Sequence, residues 1–274
     1  MTTSNDSPDI LYHYTSLDAF RKIVETKTIR ATHYQQLNDQ SELEIARREI
    51  RDLINKKYRC NKCKKEHGCK KRYGCKKQLV LEELEQDDWR MYIFSLSASK
   101  NLLSQWRAYT HPLDGGVDIG FSRNYFKLHI EGFEPIEPYK CCYEPSYDLV
   151  EIENIINTGG YMGQLYNALQ GVQFFLQSTM KQMCVRKHIA YEDEAEWRCV
   201  HFTPRWGTSV KLDERHRKFV EFQFDPQSIE EIWISPHGNR SRIENVVTFL
   251  KEHSPIRSSC EIHQSEIPYR TSHY

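Results

Sequence analysis

Residues 10–16 alternate, with Ile10, Tyr12 and Tyr14 on one side and Leu11, His13 and Thr15 on the other. Aromatic and branched side chains at period two predict a short strand. Ser16, a helix N-cap residue type, then opens a run to Thr28 in which Leu17, Phe20 and Val24 share one helical face with Ile23 on its flank. Strand, tight turn and helix therefore follow one another, and His13 and Thr15 stand at the carboxyl end of the strand. Further on, Thr28–Thr32 reads as a second strand and Leu37-Asn38-Asp39 as a turn. A helix is expected from Ser41 to about Lys56, its stripe formed by Leu43, Ile45, Ala46, Ile50, Leu53 and Ile54.

The period changes again after residue 77. A short helix over 78–86 precedes a strand at 89–97, with Tyr92, Phe94 and Leu96 on one side and Ile93, Ser95 and Ser97 on the other. Residues 102–109 predict a short helix, Pro112 to Gly116 a turn, and 117–121 another strand. The region around Tyr143 is strand-like. Residues 161–187 read as one long helix with Leu165, Leu169, Val172, Leu176 and Met180 near one face, a stripe expected to be core. An acidic turn leads into a strand ending at Phe202, strands follow at 218–224 and 229–235, and the residues after Pro255 read as a polar tail. Strands and helices mixed in this order give an α+β class.

Residues 56–77 break the pattern. Eleven of them are Lys or Arg, Glu66 is the only acid, and almost nothing aliphatic is present to build a core. Into this run are set Cys60, Cys63, Cys69 and Cys75, with His67 between. A C-x-x-C pair followed by two more thiols at short spacing supplies four ligands, and a tetrahedral zinc would order a segment that has no core. His67 competes with Cys75 as the fourth ligand. Tyr58 and Tyr73 add aromatic faces among the lysines, so nucleic acid is the partner expected for this insert. The competing reading is a solvated lysine-rich loop.

Composition narrows the rest. At 274 residues the chain is long enough for one large domain, taken here to span 1–274 with 56–77 inserted in it. Charged residues make up 28% and balance to zero, so any nucleic-acid signal is local. No apolar run reaches the length of a membrane span and residues 1–8 are polar, so a cytoplasmic protein without a membrane partner is expected. Nine cysteines then read as thiols or metal ligands; Cys141, Cys142, Cys184, Cys199 and Cys260 are scattered and expected in packing.

Several segments carry a resemblance. LND with a following Glu42, F-S-L-S, L-S-Q-W-R-x-Y, G-V-D-I-G-F, E-x-E-W-R and I-W-I-S-P together resemble the bacterial DUF2971 family over most of residues 10–240, the cysteine-rich insert excepted. The opening, L-Y-H-Y-T-S followed by a helix and a short strand, is similar to ADP-ribosyltransferase-like domains of the DNA-modifying DarT type. That resemblance implies an α+β fold with split antiparallel sheets, flanking helices and a cleft for NAD. It implies that His13 and Thr15, with Tyr14 and Ser97 beside them, hold the nicotinamide half of NAD. It further implies transfer of ADP-ribose to a nucleic acid, RNA or DNA, in a toxin or phage-defence setting with an antitoxin as partner.

Cleavage of the NAD glycosidic bond passes through an oxocarbenium-like ribose, which calls for a nearby carboxylate. Glu196 in A-E-W-R resembles the superfamily glutamate that contacts the ribose, and Glu194, two residues before, would handle the acceptor. Arg107 is a planar charged fork suited to a pyrophosphate, and Trp106 and Tyr109 can stack on nicotinamide or adenine. The bland alternatives are an ion pair between Glu196 and Arg198, and Trp106 and Tyr109 as helix core. No G-x-G-x-x-G and no P-loop is present, which disfavours a dinucleotide dehydrogenase and a nucleoside triphosphatase. NAD hydrolysis, protein modification and a catalytically silent nucleic-acid-binding or sensor module remain the competing functions.

Overall fold

Period-two alternation at the start of the chain does become a strand, β1 (Ile10–Ser16), and it lies near the middle of a large sheet. The computed structural model describes residues 8–37, 41–57, 90–111, 113–143, 181–203 and 210–269. Ser16 caps α1 (Leu17–Thr26) by accepting from the Ala19 amide, and Lys27 ends the helix in the left-handed region at φ 54°. Leu17, Phe20 and Val24 are the buried face of α1, at the positions the spacing predicts. α2 (Ser41–Lys57) buries Leu43, Ala46, Ile50 and Ile54 at i, i+3, i+7 and i+11.

The remaining strands are β2 (Thr28–His33), β3 (Met91–Ser97), β4 (Gly116–Ser122), β5 (Tyr139–Lys140), β6 (Glu196–Phe202), β7 (Lys211–Leu212), β8 (Lys218–Gln223), β9 (Ile229–Ile234) and β10 (Glu261–Gln264). Two further helices are α3 (Leu103–Tyr109) and α4 (Arg240–His253). The architecture is mixed α+β, a largely antiparallel open sheet of ten strands in the order β10-β9-β4-β1-β3-β2-β8-β7, with β6 and then β5 branching from β3. Among the named pairings only β9 with β10 is parallel. The two separate small sheets expected from the sequence are thus one hydrogen-bonded sheet, because β3 bridges them. One face carries the main core, where Leu11, Phe94, Ile119, Trp197, Phe222 and Ile232 pack under α1 and α4.

β3 also makes the sheet divide. Along one edge it pairs with β6 at every position from Met91↔Phe202 to Ser97↔Glu196. Along the other it meets β1 only at Ser97↔Tyr12, and β2 only at Ile93↔Thr32 and Tyr92↔His33. Among the described residues, Phe94 to Leu96 have no strand partner on that edge, so β1 and β2 diverge there and leave a fork.

Three expectations change. The residues after Pro255 are not a polar tail: Ile256 and Cys260 are buried and β10 pairs with β9, since main-chain bonding to an open sheet edge needs no hydrophobic pattern. Helix α4 was not anticipated, although Ile243, Val247 and Leu250 bury one face of it. Near the end of the expected long helix, residues 181–184 are helical and Lys187 already lies beyond it. Most of that helix, the Asn38-Asp39 turn, the Glu42 side chain, the 78–86 helix and the insert with Cys60, Cys63, His67, Cys69 and Cys75 lie outside the described residues. Among those described, no helix is long and apolar enough to cross a membrane.

Candidate active site

The fork opens into a cleft of about 1080 Å³. Its lining includes His13, Tyr14 and Ser16 from the end of β1, Ile93 to Ser97 from β3, Gln105 and Tyr109 from α3, and Lys187, Tyr191, Glu194, Glu196 and Arg198. Strand register explains the wall formed by β3 and β6. Trp197 and Cys199 face the main core, so the alternate residues Glu196 and Arg198 face the other way, beside Ser97 and Ser95.

Glu196 is 7% exposed and its carboxylate is fully engaged. Arg198 donates to it through two nitrogens, Nε to Oε1 at 2.9 Å and a terminal nitrogen to Oε2 at 3.0 Å. Lys187 Nζ lies 2.6 Å from Oε2 and also donates to Glu194. Burial alone works to raise the carboxyl pKa, and the two cations outweigh it and hold it at about 2. Burial likewise opposes the Lys187 charge, and Glu196 with Glu194 more than restores it, so its pKa moves up. Glu196 and Lys187 thus stay charged across physiological pH, in one network with Arg198 and Glu194.

Strand periodicity is not what brings Glu194 and Glu196 together. Glu194 ends a short 3-10 segment (Ile189–Glu194), the strand begins only at Glu196, and Ala195 between them adopts φ 44° and ψ 47°. That left-handed residue turns the chain so that both carboxylates reach Lys187. For a residue with a Cβ it costs on the order of 1–2 kcal/mol, which the ionised network offsets. The backbone around it is pinned: Ala195 O accepts from Ala98 N at 2.8 Å, Tyr143 Oη accepts from Glu196 N at 3.0 Å, and Ser97 Oγ donates to Glu194 O at 2.7 Å.

His13 occupies the gap in the β3 edge. Its Nδ1 is 3.1 Å from the Ser95 carbonyl and its ring lies 4.5 Å from that of Phe94. A carbonyl only accepts, so Nδ1 carries the proton and Nε2 is left as an acceptor. Burial lowers the imidazole pKa to about 4, only partly countered by the bond to Ser95, and the ring is neutral at physiological pH. Ser95 is the register partner of Arg198 and Ser97 that of Glu196, so the bond to Ser95 ties His13 to the strand beside the carboxylate wall, and both line the one cleft.

The remaining expected site residues divide. Tyr109 lines the cleft, 43% exposed, and burial of its hydroxyl followed by the nearby Glu194 and Glu196 charges raises its pKa. Tyr14 reaches the lining but uses its hydroxyl structurally, donating to Ser99 O at 2.9 Å and accepting from Leu102 N at 2.9 Å. Trp106 is fully buried, edge-on to Tyr14 at 5.0 Å with its indole N–H on Asn101 Oδ1 at 3.0 Å, so it is core and not a stacking surface. Arg107 is exposed over the Tyr269 ring and outside the cleft lining, because α3 turns it away from the face that carries Gln105 and Tyr109. Thr15 is buried and likewise outside the lining.

Lys187, Tyr191 and Ser95 were not anticipated as parts of this site. Lys187 reads locally as the end of a helix, and its pairing with Glu196 depends on tertiary placement alone. Lys22, Arg30, Arg215 and Arg217 also line the cleft, together with Asp213 and Glu214; Arg30 pairs with Glu221 and Arg217 with Asp213.

Residues 105–199 match the family model described as a protein of unknown function, DUF2971. The matched stretch contains α3 from Gln105 on, β4, Lys187, Glu194, Glu196 and Arg198, and excludes β1 with His13. Neither a curated protein nor a solved structure matches the chain.

Proposed function

We propose that the chain is an NAD-dependent ADP-ribosyltransferase with an ADP-ribosyltransferase-like split in its sheet, acting on a nucleic acid. The observation that carries this reading is the buried, ionised Glu196 lining the same cleft as a neutral His13. A carboxylate there stabilises positive charge developing on the ribose as the glycosidic bond breaks and neutral nicotinamide leaves. Arg198 and Lys187 fix its position and keep it unprotonated. The acceptor then bonds to the ribose C1′ and gives up its proton, for which Glu194 is the nearby base. His13, Ser97 and Tyr109 are the remaining groups disposed toward NAD; Trp106, Thr15 and Arg107 keep no contact role. The zinc-bound insert at 56–77 as nucleic-acid contact, and an antitoxin partner in a defence setting, rest on sequence and resemblance.

The same ion pairing favours a second reading, a silent binding or sensor module. A carboxylate already neutralised by Arg198 and Lys187 has less charge to offer a ribosyl cation, and buried networks of this kind also serve structure alone.

Nicotinamide release measured with and without RNA or DNA separates transferase, hydrolase and inactive binder. Glu196→Gln is expected to lower turnover about a hundredfold or more while NAD binding persists. Glu194→Gln is expected to impair transfer and spare hydrolysis. Full activity in both folded variants would refute the assignment.

A further inference from the structure

A second cluster of ligating groups lies at the far edge of the sheet. β9 and β10 run parallel and in register, with Glu261 opposite Glu231 and His263 opposite Trp233. Period two places all four side chains on one face. His263 stacks on Trp233, with ring centroids 4.6 Å apart and planes 26° apart. Its Nε2 lies 3.4 Å from Glu231 Oε2 and 3.2 Å from Glu261 Oε2. That nitrogen is shielded from solvent, yet it makes no hydrogen bond to either oxygen.

Glu231, itself only 8% exposed, is held from its other side. Tyr12 Oη donates to Oε1 at 2.7 Å, Trp233 Nε1 donates to the same atom at 3.1 Å, and Lys100 Nζ stands 3.6 Å from it. Oε2 receives no hydrogen bond among the described residues and is turned toward His263. An imidazolium forming a simple ion pair would aim an N–H at one oxygen. Here Nε2 sits between two carboxylates and is aligned with neither, the arrangement expected of three donors disposed around a common point.

The distances fit such a point. All three ligating atoms lie within 4.8 Å of one another. Tetrahedral coordination with bonds of about 2.0–2.1 Å requires donor separations of about 3.3–3.4 Å, close to the two nitrogen–oxygen distances found. Tyr12 and Trp233 have the role of outer groups that orient a ligating carboxylate. We propose that His263 Nε2, Glu231 Oε2 and Glu261 Oε2 bind a first-row divalent cation of the zinc type, with one coordination position left to water. One imidazole and two carboxylates suit such an ion better than a thiolate-seeking or an all-oxygen one. The three ligating residues lie outside the cleft lining, which of the groups named here includes only Tyr12, and the site's existence does not depend on the NAD reading.

Cobalt(II) added to the full chain tests it, because cobalt bound to nitrogen and oxygen shows visible bands without the near-ultraviolet thiolate band that the cysteine-rich insert would give. The expected result is about one ion per chain of the nitrogen–oxygen type. His263→Ala should abolish it and Glu261→Gln weaken it about tenfold or more, with the thiolate signal and circular dichroism unchanged. Glu261 has its side chain 72% exposed, so Glu261→Gln decides the matter if His263→Ala fails to fold. Unchanged cobalt binding in the folded variants, or binding only at millimolar cobalt, would overturn the site and leave an ion pair only.

Discussion

Replacing Glu196 by Gln removes the negative charge at the centre of the buried network and turns one of its two acceptor oxygens into an NH2 donor, and the structure sets the size of the effect. Arg198 would keep its bond to Cys184 O and Lys187 its bond to Glu194, but both cations would lose their shared counter-charge. Breaking a buried pair from one side costs about 3–5 kcal/mol. Proton linkage gives a separate figure: a carboxyl held at about 2 instead of 4.5 contributes on the order of 3 kcal/mol at neutral pH. The folded-state pKa is the lower one, so this stabilisation is complete above about pH 4.5 and is lost as pH falls through about 2. Urea unfolding of both proteins followed by tryptophan fluorescence, from pH 7 down to pH 2.5, measures the difference directly. The variant should be less stable by about 3 kcal/mol at pH 7, and the gap should narrow steadily below pH 4.5. A gap of constant size across that range would mean that lost packing, and not the charge on Glu196, accounts for it. No gap at pH 7 would remove the ion network from the stability of the fold altogether.

Trp106 and Arg107 are neighbours with opposite expected outcomes: Trp106→Ala should cost about 3–5 kcal/mol in urea unfolding, since the indole is fully buried and hydrogen-bonded, whereas Arg107→Ala should stay within about 0.5 kcal/mol. His13 should remain neutral from pH 8 to pH 5 in an NMR titration and protonate near pH 4, because burial disfavours its charge. Its folded-state pKa is lowered, so the unfolded chain takes up the proton first and stability declines as pH falls from about 6.5 to about 4. A ring titrating near 6.5 would place His13 in open solvent and out of the fork.

Local order was legible wherever a side-chain period coincides with the burial it produces. The β1–α1 unit, the α2 stripe, the two-faced β3 and the strands β4, β6, β8 and β9 follow from spacing and residue type, the helices by burying one face at a period of 3.6 and the strands by alternation or, in β4, by an apolar run buried throughout. The chemistry of E-x-E and the strand histidine could be named from residue type. What each does in space could not. The fork exists because β1 and β2, far from β3 in sequence, share its one free edge and meet it at opposite ends. Trp106 and Arg107 exchange the roles their chemistry suggests because α3 packs on Tyr14, a contact without local signature. Lys187 joins Glu196 through a left-handed turn at Ala195, and β10 is held by the open edge of β9. Propensity and amphipathicity act over a few residues and are written in the sequence itself, whereas edge pairing and charge pairing across distant segments are decided only when the whole sheet is assembled.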